Sequence, residues 1–290
     1  MSWGPVRRIT ITLFVMQGIS SAAVVSSFTV MAIIAADLSG SRAWAGVPIL
    51  AMFVGRFMAS YLMGKLMDEL GRRPALLAAF VMGTVGSCLA IVSVLNRHFE
   101  GFVLSAVLFG MFRGGSEQIR VIAGEIQTQQ QRARAIGFVV FAATIGSILG
   151  PWLYQLSANT ASSAGYDGSV GPLAITAVLL VLGAIVVSAL LRPDPRELGR
   201  RVEAASSIGE PSKARAMGVI FALPLVRLAV TAIAVGQVVM TILMSVTPLY
   251  MTQEGFSPGD ISMVMALHML GMFGLAPLTG RLIDRVGPHW

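Results

Sequence analysis

Eight stretches of this 290-residue chain are apolar over a length that can cross a hydrocarbon core, which takes roughly 20 residues of helix. They lie near 9–36, 44–66, 74–95, 101–124, 135–156, 170–191, 222–250 and 260–280. Lipid offers no water to pair with backbone N–H and C=O groups, so a spanning segment must satisfy its own hydrogen bonds. Stretches this long do so as helices. Charged residues are 12% and apolar residues 55% of the chain, whereas a soluble domain carries about twice that charged fraction. The expected fold is an all-α polytopic membrane helix bundle. Pro151, Pro172, Pro224, Pro248 and Pro277 fall within or beside the last four stretches, a placement that membrane helices tolerate.

Composition also excludes several function classes. The net charge is +7, but the basic residues lie between apolar stretches and form no single surface for nucleic acid. The lone Cys88 sits inside an apolar run, leaving no disulfide framework or thiol metal site. No phosphate-cradling loop, no metal-ligand spacing and no nucleophile–base pair appears, so neither an enzyme nor an ATP-driven pump is expected, and no cofactor.

Lys and Arg predict the orientation. Fifteen of the 21 fall in one set of loops, among them Arg7, Arg8, Arg72, Arg73, Arg132, Arg134, Arg200 and Arg201, and only Arg42 and Arg97 in the opposite set. By the positive-inside rule the N-terminus is cytoplasmic. One long polar segment, 192–217, divides the chain into a six-span half (1–191) and a segment with two further spans (218–290).

The two parts share a motif. Residues 64–73, GKLMDELGRR, reappear as GRLIDRVG at 280–287, each copy closing an apolar stretch. Such a repeat is expected of a membrane protein built from two similar halves. Gly64 is expected to let its helix approach a neighbour closely. Asp68, at a helix end, needs a cation or a helix N-terminus as partner. Gly71, Arg72 and Arg73 complete the short loop, and Gly280, Asp284 and Gly287 are the matching positions. A second pattern, Gly137-x8-Gly146-x3-Gly150-Pro151, gives the fifth stretch a smooth face that a proline is expected to bend near its outer end.

These residues resemble the major facilitator superfamily of secondary transporters. Residues 64–73 and 280–287 are similar to its signatures between helices two and three and between helices eight and nine. Residues 124–137, GEIQTQQQRARAIG, resemble its link between helices four and five. The Gly137 to Pro151 pattern resembles the antiporter motif of the drug/proton branch. There a Gly-Gly pair follows, and here Trp152, Leu153, Tyr154 and Gln155 do. The resemblance implies twelve helices in a bacterial inner membrane and alternating access by rocking of two halves.

Candidate cavity residues follow from charge placement. Arg113, Glu117 and Arg120 are spaced i, i+4 and i+7, which puts them on one face of a helix. A mid-membrane arginine costs about 2.5–3.5 kcal/mol, so the three must face a wet cavity or pair with one another. The resemblance places the fourth helix on the central cavity. Its usual arginine, counted back from Glu125, falls at Ser105, so Arg113 does not inherit that role. Glu117 is the acidic residue well inside a span and the candidate proton carrier. Arg56 either adds a cation to the cavity or pairs with Glu117. Gln17, Gln237 and His268 are mid-span polar candidates for the solute path or for helix packing.

The function expected is proton-coupled efflux of a small organic solute, multidrug-like. One alternative is proton-coupled uptake of an anionic metabolite at Arg56, Arg113 and Arg120. Another is a truncated, non-transporting membrane protein: six spans should follow the linker and two do, so about four C-terminal helices of a full-length protein are expected to be missing. The 290-residue form is then expected not to transport by itself. The partners expected are the lipid bilayer, the solute and protons as coupling ion, with no nucleic acid.

Overall fold

The helices follow the apolar stretches and break where glycine, proline or a charge interrupts them. A computed structural model describes residues 3–206, 217–255, 264, 267, 268 and 270–286. Its helices are α1 Trp3–Ser39, α2 Val47–Glu69, α3 Arg72–Leu95, α4 Phe99–Ser116, α5 Gln118–Glu125, α6 Arg132–Ser163, α7 Val170–Leu190, α8 Pro195–Ser206, α9 Met217–Ala222, α10 Pro224–Gln253 and α11 Ala276–Val286. Among the described residues there is no strand. The chain forms two compact units, one of Met1–Ala205 with Met272–Trp290 and one of Ser206–Gly271.

In the larger unit α1 packs on α6 and α7, α2 on α4, and α3 on both α4 and α7, while α11 lies along α6. Ile9, Leu13 and Met16 of α1, Phe80 of α3, Phe112 of α4 and Leu180 of α7 are fully buried where these helices meet. Phe80 meets Phe112 edge-on, with ring centroids 5.2 Å apart. The outer faces are apolar too: Ile33, Leu50 and Phe57 are between 63% and 81% exposed. Apolar surface of this extent marks a side that faces lipid or other protein.

With lipid as apolar as the helices, close backbone approach is what joins them. A Cβ on Gly55 of α2 would run into the Val107 carbonyl of α4, and one on Gly110 of α4 would run into the Met52 carbonyl of α2. Gly114 sits against the Arg56 carbonyl, where a Cβ would lie at 2.8 Å. Three glycines thus make one seam. The α1–α6 seam is built alike, with Gly146 against Gly18 and Ser21 and with Gly150 against Val25. α6 runs unbroken through Pro151.

The fourth apolar stretch differs from the single helix expected over 101–124. It is two helices in series, α4 and α5, joined at Glu117, whose N–H is shared between the Arg113 and Gly115 carbonyls. The run Gly114-Gly115-Ser116 is a poor helix former, and the helix tightens there. Among the described residues, five helices are long and apolar enough by themselves to cross a membrane: Gly4–Ser39, Arg42–Glu69, Arg72–Leu95, Gln129–Ser163 and Val170–Leu190. In the polar segment 192–217, residues 195–206 form α8. Of the stretch expected at 260–280, residues 264, 267, 268 and 270–273 are helical, a turn follows at Gly274–Leu275, and α11 begins just before Pro277. A proline in the first turn of a helix has no intrahelical N–H to lose.

Candidate functional site

The glycine seam sets the register that brings Arg56 of α2 to the end of α4. Gly114 lies against the Arg56 backbone, and Glu117 follows less than one turn later. Arg56 then grips the Glu117 carboxylate with both sides of its guanidinium, Nη2 to Oε1 at 2.8 Å and Nε to Oε2 at 3.2 Å. Arg113 approaches the same carboxylate from its own helix, with Nε 3.7 Å from Oε1. The three side chains are 31%, 24% and 34% exposed, so the cluster is half-buried at an open face of the unit. Arg120 is exposed on α5 and makes no ion pair among the described residues.

Two guanidiniums on one carboxylate leave a local excess of positive charge. Gln17 of α1, half-buried, donates from Nε2 to Ser21 Oγ at 3.4 Å. The Ser20 Oγ, one turn away, is buried without a partner among the described residues. Gln237 lies on α10 and His268 is half-buried in the smaller unit, with its Nε2 buried and unpaired among the described residues.

A second set of charges ties helix ends together. Gly71 has φ +105°, a conformation that side chains rarely adopt, and it provides no cap for the first N–H groups of α3. Asp194 supplies the cap from afar. Its carboxylate accepts from the N–H groups of Arg72 at 3.2 Å and Arg73 at 3.0 Å, and from Arg196 in the first turn of α8 at 2.8 Å. One carboxylate therefore serves the positive ends of two helices. Arg72 is the hub beside it. It bonds Glu125 through Nε at 3.0 Å and Nη2 at 3.2 Å, and its Nη1 donates to the Met67 carbonyl at 2.7 Å and to Asp68 at 2.9 Å. Arg73 Nη2 donates to the Ser188 carbonyl of α7 at 2.6 Å.

The two copies of the repeated motif act differently. Asp68 is exposed and takes its own Arg72 as partner. Asp284 of α11 accepts from the N–H groups of Ala133 at 3.1 Å and Arg134 at 2.9 Å, capping α6, whose flanking Gln131 makes no side-chain cap. Gly280 is buried, and a Cβ there would lie 2.9 Å from the Ala133 carbonyl carbon. At Gly64, by contrast, no described residue comes within 4 Å of a Cβ. The close approach expected of Gly64 is made at Gly55 instead. Gly137 lies against the Ala276 carbonyl at the start of α11, and Gly287 is outside the described residues.

A family model described as "Major Facilitator Superfamily" matches residues 13–290. The chain belongs to that family. It is a multi-pass membrane protein. It is 28% identical over 280 residues to the uncharacterized MFS-type transporter YdeG of Bacillus subtilis, which covers 95% of this chain and 65% of YdeG. It is 24% identical over 281 residues to the riboflavin transporter RfnT of Brucella anthropi, covering 97% of this chain and 68% of RfnT. With the multidrug resistance protein MdtL of Salmonella typhimurium it shares 26% identity over 237 residues, covering 81% of this chain and 56% of MdtL. The chain thus spans only part of these curated relatives, between 56% and 68% of their length. The fold is shared with the proton:xylose symporter XylE (TM-score 0.70, 14% identity, 99% of this chain and 71% of that one). It is also shared with the human organic anion transporter MFSD10 (TM-score 0.69, 16% identity, 98% and 74%).

For a chain of this superfamily, the sequence signal missed was Gly110-x3-Gly114, a spacing that marks close helix packing. Asp194 was hidden because it lies in a polar segment where a carboxylate looks merely solvated.

Proposed function

We propose that these residues are the proton- and solute-handling part of a secondary active transporter in a bacterial inner membrane. The single observation that carries the reading is the Arg56–Glu117–Arg113 cluster. Glu117 is the proton carrier, and its charge state sets whether Arg56 and Arg113 are occupied. Gln17, Gln237 and His268 are the polar candidates for the solute path, with helix packing as their other role. Residues 1–191 form one half, 192–217 the link and 218–290 belong to the second half, with the N-terminus cytoplasmic. The arginine bias of the loops supports that orientation.

Export of a small organic solute in exchange for protons is the leading direction. It is supported by the Gly146 and Gly150 packing of α6 on α1, the place of the antiporter-like pattern that ends at Pro151. The Arg72 hub and the caps from Asp194 and Asp284 act as conformational latches that one state holds closed. The second reading is uptake of an organic anion, favoured by the surplus of arginine over carboxylate around Glu117.

Accumulation assays on cells expressing the complete reading frame separate the two. Export predicts less cell-associated lipophilic dye, restored by a protonophore. Uptake predicts more of a small organic anion such as a dicarboxylate, abolished by the protonophore. No protonophore-sensitive change with either class of solute would refute proton-coupled transport of both.

A further inference from the structure

An open, mostly apolar surface groove of about 360 Å³ lies between the start of α1 and the end of α7, lined by Gly4, Arg7, Arg8, Ile11, Thr12 and Leu190. It shares no residue with the Arg56–Glu117 cluster. Arg7 and Arg8 are exposed and make no ion pair among the described residues. No acidic side chain among the described residues lines the groove. One helical turn deeper the walls become apolar: Ile11 is 46% and Leu190 43% exposed, and the Thr12 hydroxyl is spent on the Arg8 carbonyl at 3.0 Å.

The two levels demand one ligand. Two free guanidiniums at a helix end call for an anion, and a free inorganic anion would leave the apolar wall beneath it uncovered. A phosphate already joined to a hydrocarbon chain satisfies both. Basic pockets between membrane helices take anionic headgroups in this way. We propose that this groove is a binding site for an anionic phospholipid, with the headgroup phosphate on Arg7 and Arg8 and the acyl chain along Ile11 and Leu190. The bound lipid would fasten the ends of α1 and α7 to each other and to the membrane surface.

Native mass spectrometry of the purified chain, released from neutral detergent, tests the site. The probes are phosphatidylglycerol, phosphatidylcholine and inorganic phosphate. The wild type should retain phosphatidylglycerol over phosphatidylcholine, and Arg7→Gln with Arg8→Gln should weaken that retention about thirty-fold, the factor two surface cations supply. Arg200→Gln with Arg201→Gln on α8 should leave it unchanged. Leu190→Trp fills the groove while keeping both charges, and it should also remove the lipid, which guards against a double arginine variant that fails to fold. Equal retention of the two lipids, an equal effect of the α8 pair, retention by Leu190→Trp, or displacement by millimolar inorganic phosphate would each overturn the proposal.

Discussion

Removal of the Asp194 carboxylate should loosen two helices at once. Asp194 accepts three backbone N–H groups, two at the start of α3 and one at the start of α8. Loss of a helix N-cap typically costs about 1 kcal/mol, so Asp194→Ala should cost about 2 kcal/mol, roughly thirty-fold in the folded-to-unfolded ratio. Asp194→Asn keeps one acceptor oxygen but loses the charge that faces the helix dipoles, a term of about 0.3–1 kcal/mol at each end. It should therefore cost about half as much, about 1 kcal/mol in all. Asp284 caps one helix only, so Asp284→Ala should also cost about 1 kcal/mol. Reversible unfolding in mixed micelles of increasing SDS content, followed by far-UV circular dichroism, gives the three values side by side. The reasoning is refuted if Asp194→Ala lies within about 0.5 kcal/mol of wild type, the ordinary range of surface substitutions. It also fails if Asn is as damaging as Ala.

Gly110→Leu should split the α2–α4 seam and yield no monodisperse protein on size-exclusion chromatography, while Gly64→Ala, with open space around it, should elute as wild type. Gly71→Ala should cost about 1–3 kcal/mol in the same SDS titration, because φ +105° with an extended ψ is tolerated essentially by glycine alone. Arg72→Lys replaces a forked guanidinium with a point charge that cannot serve Glu125, Asp68 and the Met67 carbonyl together, and should cost about 2 kcal/mol. Combined with Glu125→Gln it should show a coupling above about 0.5 kcal/mol, and strict additivity would show that the pair does not cooperate.

Apolar length and low charge made the all-α membrane bundle legible, because lipid leaves few other solutions. The charges that lie in mid-span were legible for the same reason: Arg56, Arg113 and Glu117 are costly there and must find one another. What sequence reasoning could not supply was register. Arg56 and Glu117 lie on different helices, and only the Gly55, Gly110 and Gly114 contacts fix which turn of α2 faces which turn of α4. The repeat was also half-informative. Identical spacing in GKLMDELG and GRLIDRVG suggested equal roles, yet Asp284 caps a neighbouring helix while the matching cap on α3 comes from Asp194. A cap supplied in trans leaves no local signature, since nothing near Gly71 in sequence announces Asp194.

The most direct test of the central claim separates solute exchange from proton coupling in the Glu117→Gln variant. Proteoliposomes holding the protein from its complete reading frame are assayed for counterflow of a transported solute and for accumulation driven by a pH gradient. If Glu117 carries the proton, the variant keeps counterflow and loses gradient-driven accumulation, because the neutral amide fixes one charge state while the solute path stays open. Unchanged gradient-driven accumulation in the variant would contradict the account.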